Sequence, residues 1–185
     1  MKIILASASP RRRKLLKDMG FRFKVIPPNV EEKTHYKRPH LIVCDLSRKK
    51  AISVATKHPN AAVIGVDTIV YCKGRIIGKP KNVFEAKRLL KIQSGRWQSV
   101  YTAITLAYLK KNIILTDYEK SICYMRKLSE KEISKIAPKH IDKAGGWAVQ
   151  DKDDLLIKKI KGDFTNVVGF PVKIFKKLIK KLSKL

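Results

Sequence analysis

The first dozen residues restrict the fold more than any other stretch. Ile3-Ile4-Leu5-Ala6 is a short apolar run, Ser7-Ala8-Ser9 follows, and Pro10-Arg11-Arg12-Arg13 opens a segment with helical spacing. A strand that feeds directly into a helix is the opening half of an α/β unit. Proline suits the first helical position, where no N–H partner is needed, and Ser9 suits the N-cap before it. Such a turn gathers backbone N–H groups, the positive end of a helix dipole and guanidinium forks around one point, which favours a phosphate. An ordinary capped surface helix is written with the same residues, so this stretch alone leaves both readings standing.

The alternation continues along the chain. The spacing predicts strands at 3–6, 23–26, 61–66, 69–71, 76–77, 98–109 and 155–160, and a strand pair around 113–125. It predicts helices at 11–19, from 39 to about 57, at 83–92, 129–136 and 171–182. Ser129 with Glu132 three residues on is a capping box, and Lys73-Gly74 is a hairpin turn. Helices alternating with strands, hairpins among them, indicate an α/β domain with a mixed sheet flanked by helices. No repeat and no linker rich in Gly, Ser or Pro divides the chain, so residues 1–185 read as one domain.

Lys and Arg total 42 against 15 Asp and Glu, a formal net charge of +27. That balance attracts polyanions and suits a nucleic-acid binder, but the lysines are spread along the whole chain rather than gathered in a stripe or tail. Nucleic acid is therefore allowed as a partner without being favoured. No apolar run approaches the roughly 20 residues of a membrane-spanning helix. Cys44, Cys72 and Cys123 are scattered and form no CxxC pair, which argues against a disulfide frame or structural zinc and for a reducing, cytoplasmic setting.

Several constellations can carry chemistry. Asp67 follows the apolar run Ile64-Gly65-Val66 and is expected at a strand end, where α/β sheets gather ligands. A carboxylate there can hold a divalent metal or take a proton from water, or it can cap a turn. Glu31 and Glu32 are adjacent acids on an extended segment, so one of them can join Asp67 in an oxygen-ligand site while the other faces away. Lys79, in Gly78-Lys79-Pro80, offers one ammonium from a stiff loop, and Lys50 another from a helix; both suit phosphate or plain solvent. In the stretch 142–150 a glycine pair precedes Trp147, a ring able to stack on a base or fill a core, and Gln150, whose amide can read a base edge. The run 162–171 is consistent with a pocket wall. Signatures of serine hydrolases, zinc hydrolases and P-loop enzymes are absent from the sequence.

Taken in order, Ser7-Ala8-Ser9-Pro10-Arg11-Arg12, Val30-Glu31-Glu32, Lys49-Lys50-Ala51, Gly65-Val66-Asp67-Thr68-Ile69-Val70, Gly78-Lys79-Pro80, Asp142-Lys143-Ala144-Gly145 with Gln150, and Asn166-Val167-Val168-Gly169-Phe170-Pro171 resemble the Maf family of nucleoside triphosphate pyrophosphatases. The resemblance implies a bent mixed sheet in two lobes with a central cleft, as in inosine triphosphatases. It implies hydrolysis of the α–β phosphoanhydride of a nucleoside triphosphate, a house-cleaning reaction that needs Mg2+, Mn2+ or Co2+. By the same resemblance Asp67 is the catalytic base, and Glu32 and Asp67 hold the metal. Ser9, Arg11, Arg12, Lys50 and Lys79 meet the phosphates, while Arg12, Thr68, Lys79 and Gln150 select the base. A homodimer is an allowed partner.

The 142–145 loop with Gln150 resembles the branch acting on dTTP and UTP, with modified pyrimidine triphosphates also in range. Trp147 and Asp151 depart from that branch's usual Tyr and Gly. Two alternatives stand beside this expectation: a basic nucleic-acid-binding or division-regulating protein without catalysis, and a pyrophosphatase for purines such as ITP or XTP.

Overall fold

In a computed structural model the described residues are 2–141, 143–150 and 155–184. Strands and helices alternate among them as β1 (Lys2–Ala6), α1 (Pro10–Asp18), β2 (Lys24–Val25), α2 (Pro39–Ala55), β3 (Ala61–Cys72), β4 (Arg75–Ile77), α3 (Val83–Gln93), β5 (Trp97–Tyr108), β6 (Ile113–Met125), α4 (Glu130–Ile136), β7 (Ile157–Lys161), α5 (Phe164–Val168) and α6 (Val172–Leu182). The strand order is β2-β1-β3-β5-β6-β7, with β4 paired to β3. β1 runs parallel to β2 and β3, whereas β3–β4 and β6–β7 are antiparallel. This is the mixed sheet with flanking helices that the alternation predicts. The chain forms two compact units, one of Met1–Asp67, Thr102–Glu119 and Gly169–Leu185, the other of Thr68–Tyr101 and Lys120–Val168.

In the first unit, strand alternation divides the apolar side chains between two helical layers. Leu5, Ile64, Val66, Ile104 and Leu106 form one core with Leu16 of α1 and Phe175 and Leu178 of α6, where Phe21 meets the Phe175 ring edge-on at 5.1 Å. On the opposite face Ile4, Val63 and Ala107 pack with Ala51 and Val54 of α2. Phe175 and Leu16 are fully enclosed, and each such side chain contributes about 1.5–3 kcal/mol. The basic closing helix α6 is thereby fixed by its apolar stripe, with Lys173 and Lys176 turned to solvent.

In the second unit α3 and α4 cover one side of the sheet. Leu90 and Ile133 pack there with Val70, Cys72, Val100, Cys123 and Met125. Two buried polar groups tie the unit together. The Trp147 indole donates to Gln93 Oε1 at 2.7 Å, and Gln93 Nε2 donates to the Gly145 carbonyl at 2.7 Å. Asn166 Nδ2 donates to the Val100 carbonyl and to Ser121 Oγ, tying α5 to β5 and β6. Trp147 is thus a core ring held by hydrogen bonding.

The capping box forms as predicted, with Ser129 Oγ accepting from the Glu132 N–H and Glu132 returning to the Ser129 N–H. The Ser129 N–H, Arg126 and the Ser129 hydroxyl hold the Glu132 carboxyl down at about 2. A depressed folded value stabilises above the ordinary carboxylate range and is lost as pH falls towards 2. Glu132→Gln is accordingly expected to lower stability at neutral pH, and the gap to the parent protein, followed by urea unfolding, should close between about pH 4.5 and pH 2.

Some predicted elements change. The strands expected at 61–66 and 69–71 are one continuous strand, β3, so Asp67 is not at its end. The reason is local: β-branched Thr68 and the apolar residues after it keep the backbone extended. Asp67 nevertheless stands beyond the end of its neighbour, since β1 pairs only as far as Ala6 with Gly65. The pair expected at 113–125 is the single strand β6, in which no Gly or Pro interrupts the run. β2 shrinks to two residues before Pro27-Pro28. β7 starts at Ile157, because Leu155 has φ +38 and cannot join a ladder. The run 162–171 contains the short helix α5.

Candidate active site

The turn from β1 to α1 places Pro10 at the first helical position, as its φ preference dictates. Ser9 is extended at the N-cap, but its hydroxyl makes no cap, contrary to expectation. The hydroxyl that organises the turn belongs to Ser7, which is buried and accepts from the Ser9 N–H at 3.2 Å and from Arg12 Nη1 at 3.1 Å.

Arg12 is a bracket. Its Nη1 also donates to the Val66 carbonyl at 3.1 Å, and its Nε donates to the Gly169 carbonyl at 2.9 Å. One guanidinium thus joins the β1–α1 turn, β3 and the chain leading into α6, which explains why the 166–171 motif and the opening motif occur together. Burial draws its pKa down to about 10, Asp67 and Glu32 opposing and neighbouring Arg11 adding to the fall. It remains cationic at neutral pH. Arg11 is half-buried on the same helix turn, and Arg13 is exposed.

Three charged side chains meet on the α2 side of the first unit. Lys50 is 6% exposed, and its ammonium donates to Asp67 Oδ1 at 2.6 Å and pairs with Glu32 Oε1 at 2.7 Å. Glu31 points away and pairs with Lys33, so only the second acid of the pair faces Asp67, as an extended backbone requires. Lys50 is therefore not a surface charge, and it touches two carboxylates. Asp67 is 5% exposed, and its Oδ2 is buried without a hydrogen-bond partner. Burial pushes the Asp67 carboxyl above its usual range, against the pull of Lys50 and Arg12, and the Glu32 charge adds to the rise.

The close fit of α2 on β3 sets this cluster. A Cβ at Gly65 would lie inside contact distance of the Ser47 carbonyl oxygen and 2.6 Å from the Ala51 nitrogen. Ser47 and Ala51 flank Lys50 on the helix, and the hydroxyls of Ser47, Thr105 and Thr116 are linked at 2.9 Å each. Gly65 was legible only as part of a motif; its need for bare backbone comes from a helix that arrives from elsewhere in the chain.

The remaining expected residues belong to the second unit. Thr68 follows Asp67 directly and is half-buried. Lys79 is exposed on the loop between β4 and α3, whose Gly78 carbonyl accepts from the Gly145 N–H at 3.0 Å. Gly145 has φ +81, and a Cβ there would strike the Trp147 indole nitrogen at 2.5 Å, so the glycine of the 142–145 motif serves both backbone and packing. Gln150 is an exposed turn residue. Asp142 and Asp151 lie outside the described residues. Ser7 and Gln93 were not named as site residues; their burial is a tertiary property, and Ser7 stood out only as the first hydroxyl of the Ser7-Ala8-Ser9-Pro10 motif.

Metal binding can be judged from the donors. The unpartnered Asp67 Oδ2 and the Glu32 carboxylate are hard oxygen ligands of the kind Mg2+ takes in ones and twos, with water and phosphate oxygens completing the shell. Among the described residues no cluster of three or more His, Cys, Asp or Glu side chains could cage a metal without a substrate. The residues fit a metal shared with a phosphate ligand.

Comparison with known proteins shows the family and the fold. A dTTP/UTP pyrophosphatase of Elusimicrobium minutum is 49% identical over 183 residues, covering 99% of this chain and 100% of its own length. A dTTP/UTP pyrophosphatase of Thermoanaerobacter sp. (strain X514) is 45% identical over 175 residues, covering 93% of this chain and 92% of its own. The Staphylococcus aureus Ham1 protein shares the fold at 12% identity, with a TM-score of 0.53 over 98% of this chain and 99% of its own. The Maf-like protein profile matches residues 2–182, and with the buried acid, its lysine bridge and the Ser-Pro-Arg turn all on that matched length, the chain belongs to the Maf-like protein family.

Proposed function

We propose that this protein is a hydrolase that cleaves the α–β phosphoanhydride of dTTP and UTP, modified pyrimidine nucleotides among its range, releasing the monophosphate and pyrophosphate. The observation that carries the proposal is the buried Asp67 carboxyl, held through Lys50 to Glu32, with one oxygen unpartnered. The identity to proteins described as dTTP/UTP pyrophosphatases over nearly the whole chain supports the pyrimidine substrates.

A triphosphate brings close to four negative charges, and the chain answers with fixed cations and donors placed before the reaction begins. The α1 start, Ser9, Arg11 and Arg12 receive phosphate oxygens, the bracketed Arg12 unable to swing away. Lys50 holds Asp67 in one orientation and keeps two acids close despite their repulsion. Asp67, desolvated and therefore more basic than a surface carboxylate, takes a proton from the attacking water. Water adds at phosphorus as the bridging oxygen departs with pyrophosphate. Glu32 and Asp67 would hold a divalent cation (Mg2+, Mn2+ or Co2+), which when bound would offset phosphate charge. The family resemblance assigns Lys79 to phosphate, and Arg12, Thr68, Lys79 and Gln150 to choosing the base. Among the described residues no helix is long and apolar enough to cross a membrane.

The test is pyrophosphate release from a panel of dTTP, UTP, ITP, XTP, 7-methyl-GTP and the common triphosphates with each metal in turn. Release should be fastest from dTTP and UTP. Faster release from ITP or XTP would move the protein to the purine class, and no release from any triphosphate would end the enzymatic reading.

A further inference from the structure

In the second unit the sheet side opposite α3 and α4 carries rings and ammonium groups together. Val100, Cys123 and Met125 turn inward under the helices, so their neighbours in β5 and β6 turn outward. Trp97 is 44% exposed and lies 5.3 Å from the Tyr124 ring. The Lys161 ammonium sits 5.1 Å from the Trp97 ring centre, and the Lys120 ammonium 5.6 Å from that of Tyr101. β7 registers Lys161 opposite Ile122 and Lys159 opposite Tyr124, which sets Lys159 and Lys161 on the same side as those rings.

Among the described residues the charge on this surface has one sign. The strand segments 97–101, 120–125 and 157–161 contain no Asp or Glu. The unit's described acids lie elsewhere: Glu85 in α3, Glu130 and Glu132 in α4, and Asp163 in a turn where it accepts from Thr165. A symmetric pairing of two copies through this surface would set lysines against the same lysines, which is repulsive. A partner must therefore be anionic, and it must also present flat apolar faces to the rings.

We propose that this sheet surface binds single-stranded nucleic acid, with Trp97, Tyr101 and Tyr124 stacking on bases and Lys120, Lys159 and Lys161 meeting the phosphates. Unpaired bases offer a π-face beside every phosphate, and sheets that carry aromatic side chains read single strands in this way. A duplex hides its bases, and a lipid headgroup layer offers charge without rings to stack. The proposal is independent of triphosphate hydrolysis and concerns a different set of residues.

The test is fluorescence anisotropy of a labelled, 5′-hydroxyl single strand of about twelve nucleotides, with pyrophosphate release from dTTP and thermal unfolding as checks that each variant is folded. Trp97→Ala is expected to weaken binding about tenfold or more. The double variant Lys159→Ala/Lys161→Ala should weaken it and flatten the salt dependence by about one to two in log–log slope. The charge-matched pair Lys173→Ala/Lys176→Ala on α6 should stay within about twofold of the parent protein. Equal affinity for single strand and duplex, an equal loss from the α6 pair, uptake of phosphatidylserine vesicles in place of the strand, or no binding at low salt would each overturn the proposal. If Trp97→Ala unfolds, the lysine pair decides alone.

Discussion

Asp67→Asn is expected to lower turnover of dTTP by about 10²–10³-fold while leaving the protein folded and able to bind the nucleotide. Asn keeps the shape of the side chain, and its oxygen can still accept from Lys50 where Asp67 Oδ1 now does at 2.6 Å. The charge is lost, and with it the lone pair that takes the water's proton. Stability should change little. Burial raises the Asp67 carboxyl, so the folded state disfavours its charged form, and removing that charge forfeits no stabilisation from it. Binding should hold or tighten, because one negative charge fewer faces the phosphates. Pyrophosphate release gives the rate and calorimetry with dTTP gives the affinity. Undiminished turnover would remove Asp67 from the reaction; lost binding with normal residual chemistry would recast it as a binding residue.

What could be read before the structure was what local rules govern. Proline at the first turn of α1, the Ser129–Glu132 capping box and the Lys73-Gly74 hairpin each depend on residues within four positions, and each formed where expected. That only one of Glu31 and Glu32 faces Asp67 followed from strand alternation, while the choice of Glu32 came from the family resemblance. Errors came where a distant partner decides. The serine that organises the opening turn is Ser7, because Arg12 reaches it while also holding the Val66 and Gly169 carbonyls, the latter 157 residues away. Lys50 resembles forty-one other lysines and arginines in the sequence until α2 lies on β3 and buries it between two acids. Asp67 was expected to end its strand, yet what ends there is the adjacent β1. Propensity describes a strand by its own residues, whereas the exposure of a strand's edge depends on its neighbour's length. The mixed sheet was legible from alternation, because any chain that alternates in this way must layer helices on strands.

Gly65→Ala is expected to destabilise the protein by about 3 kcal/mol or more, lowering the melting temperature by roughly 6–12 °C, and to abolish most turnover. Most glycine-to-alanine changes in a strand are harmless or favourable, since β-structure tolerates a Cβ and gains from it. Here the added carbon would press on the Ser47 carbonyl oxygen and lie 2.6 Å from the Ala51 nitrogen and 2.8 Å from its Cβ. Two of these are backbone atoms of α2, which cannot rotate aside as a side chain could, so the helix itself must move. That helix carries Lys50 between the two contact points, and its ammonium now rests 2.6 Å from Asp67. Displacing it by even part of an ångström would lengthen a short charge-assisted bond and free Asp67 to turn, which near-attack geometry does not tolerate. Gly78→Ala provides the contrast, because nothing lies within 4 Å of a Cβ there and its φ needs no glycine. It should melt with the parent protein. Thermal unfolding and pyrophosphate release measured on both variants separate the cases. If Gly65→Ala melts within about 1 °C of the parent and turns over normally, α2 can yield without cost, and the close fit of helix on strand is not what aims Lys50 at the acid.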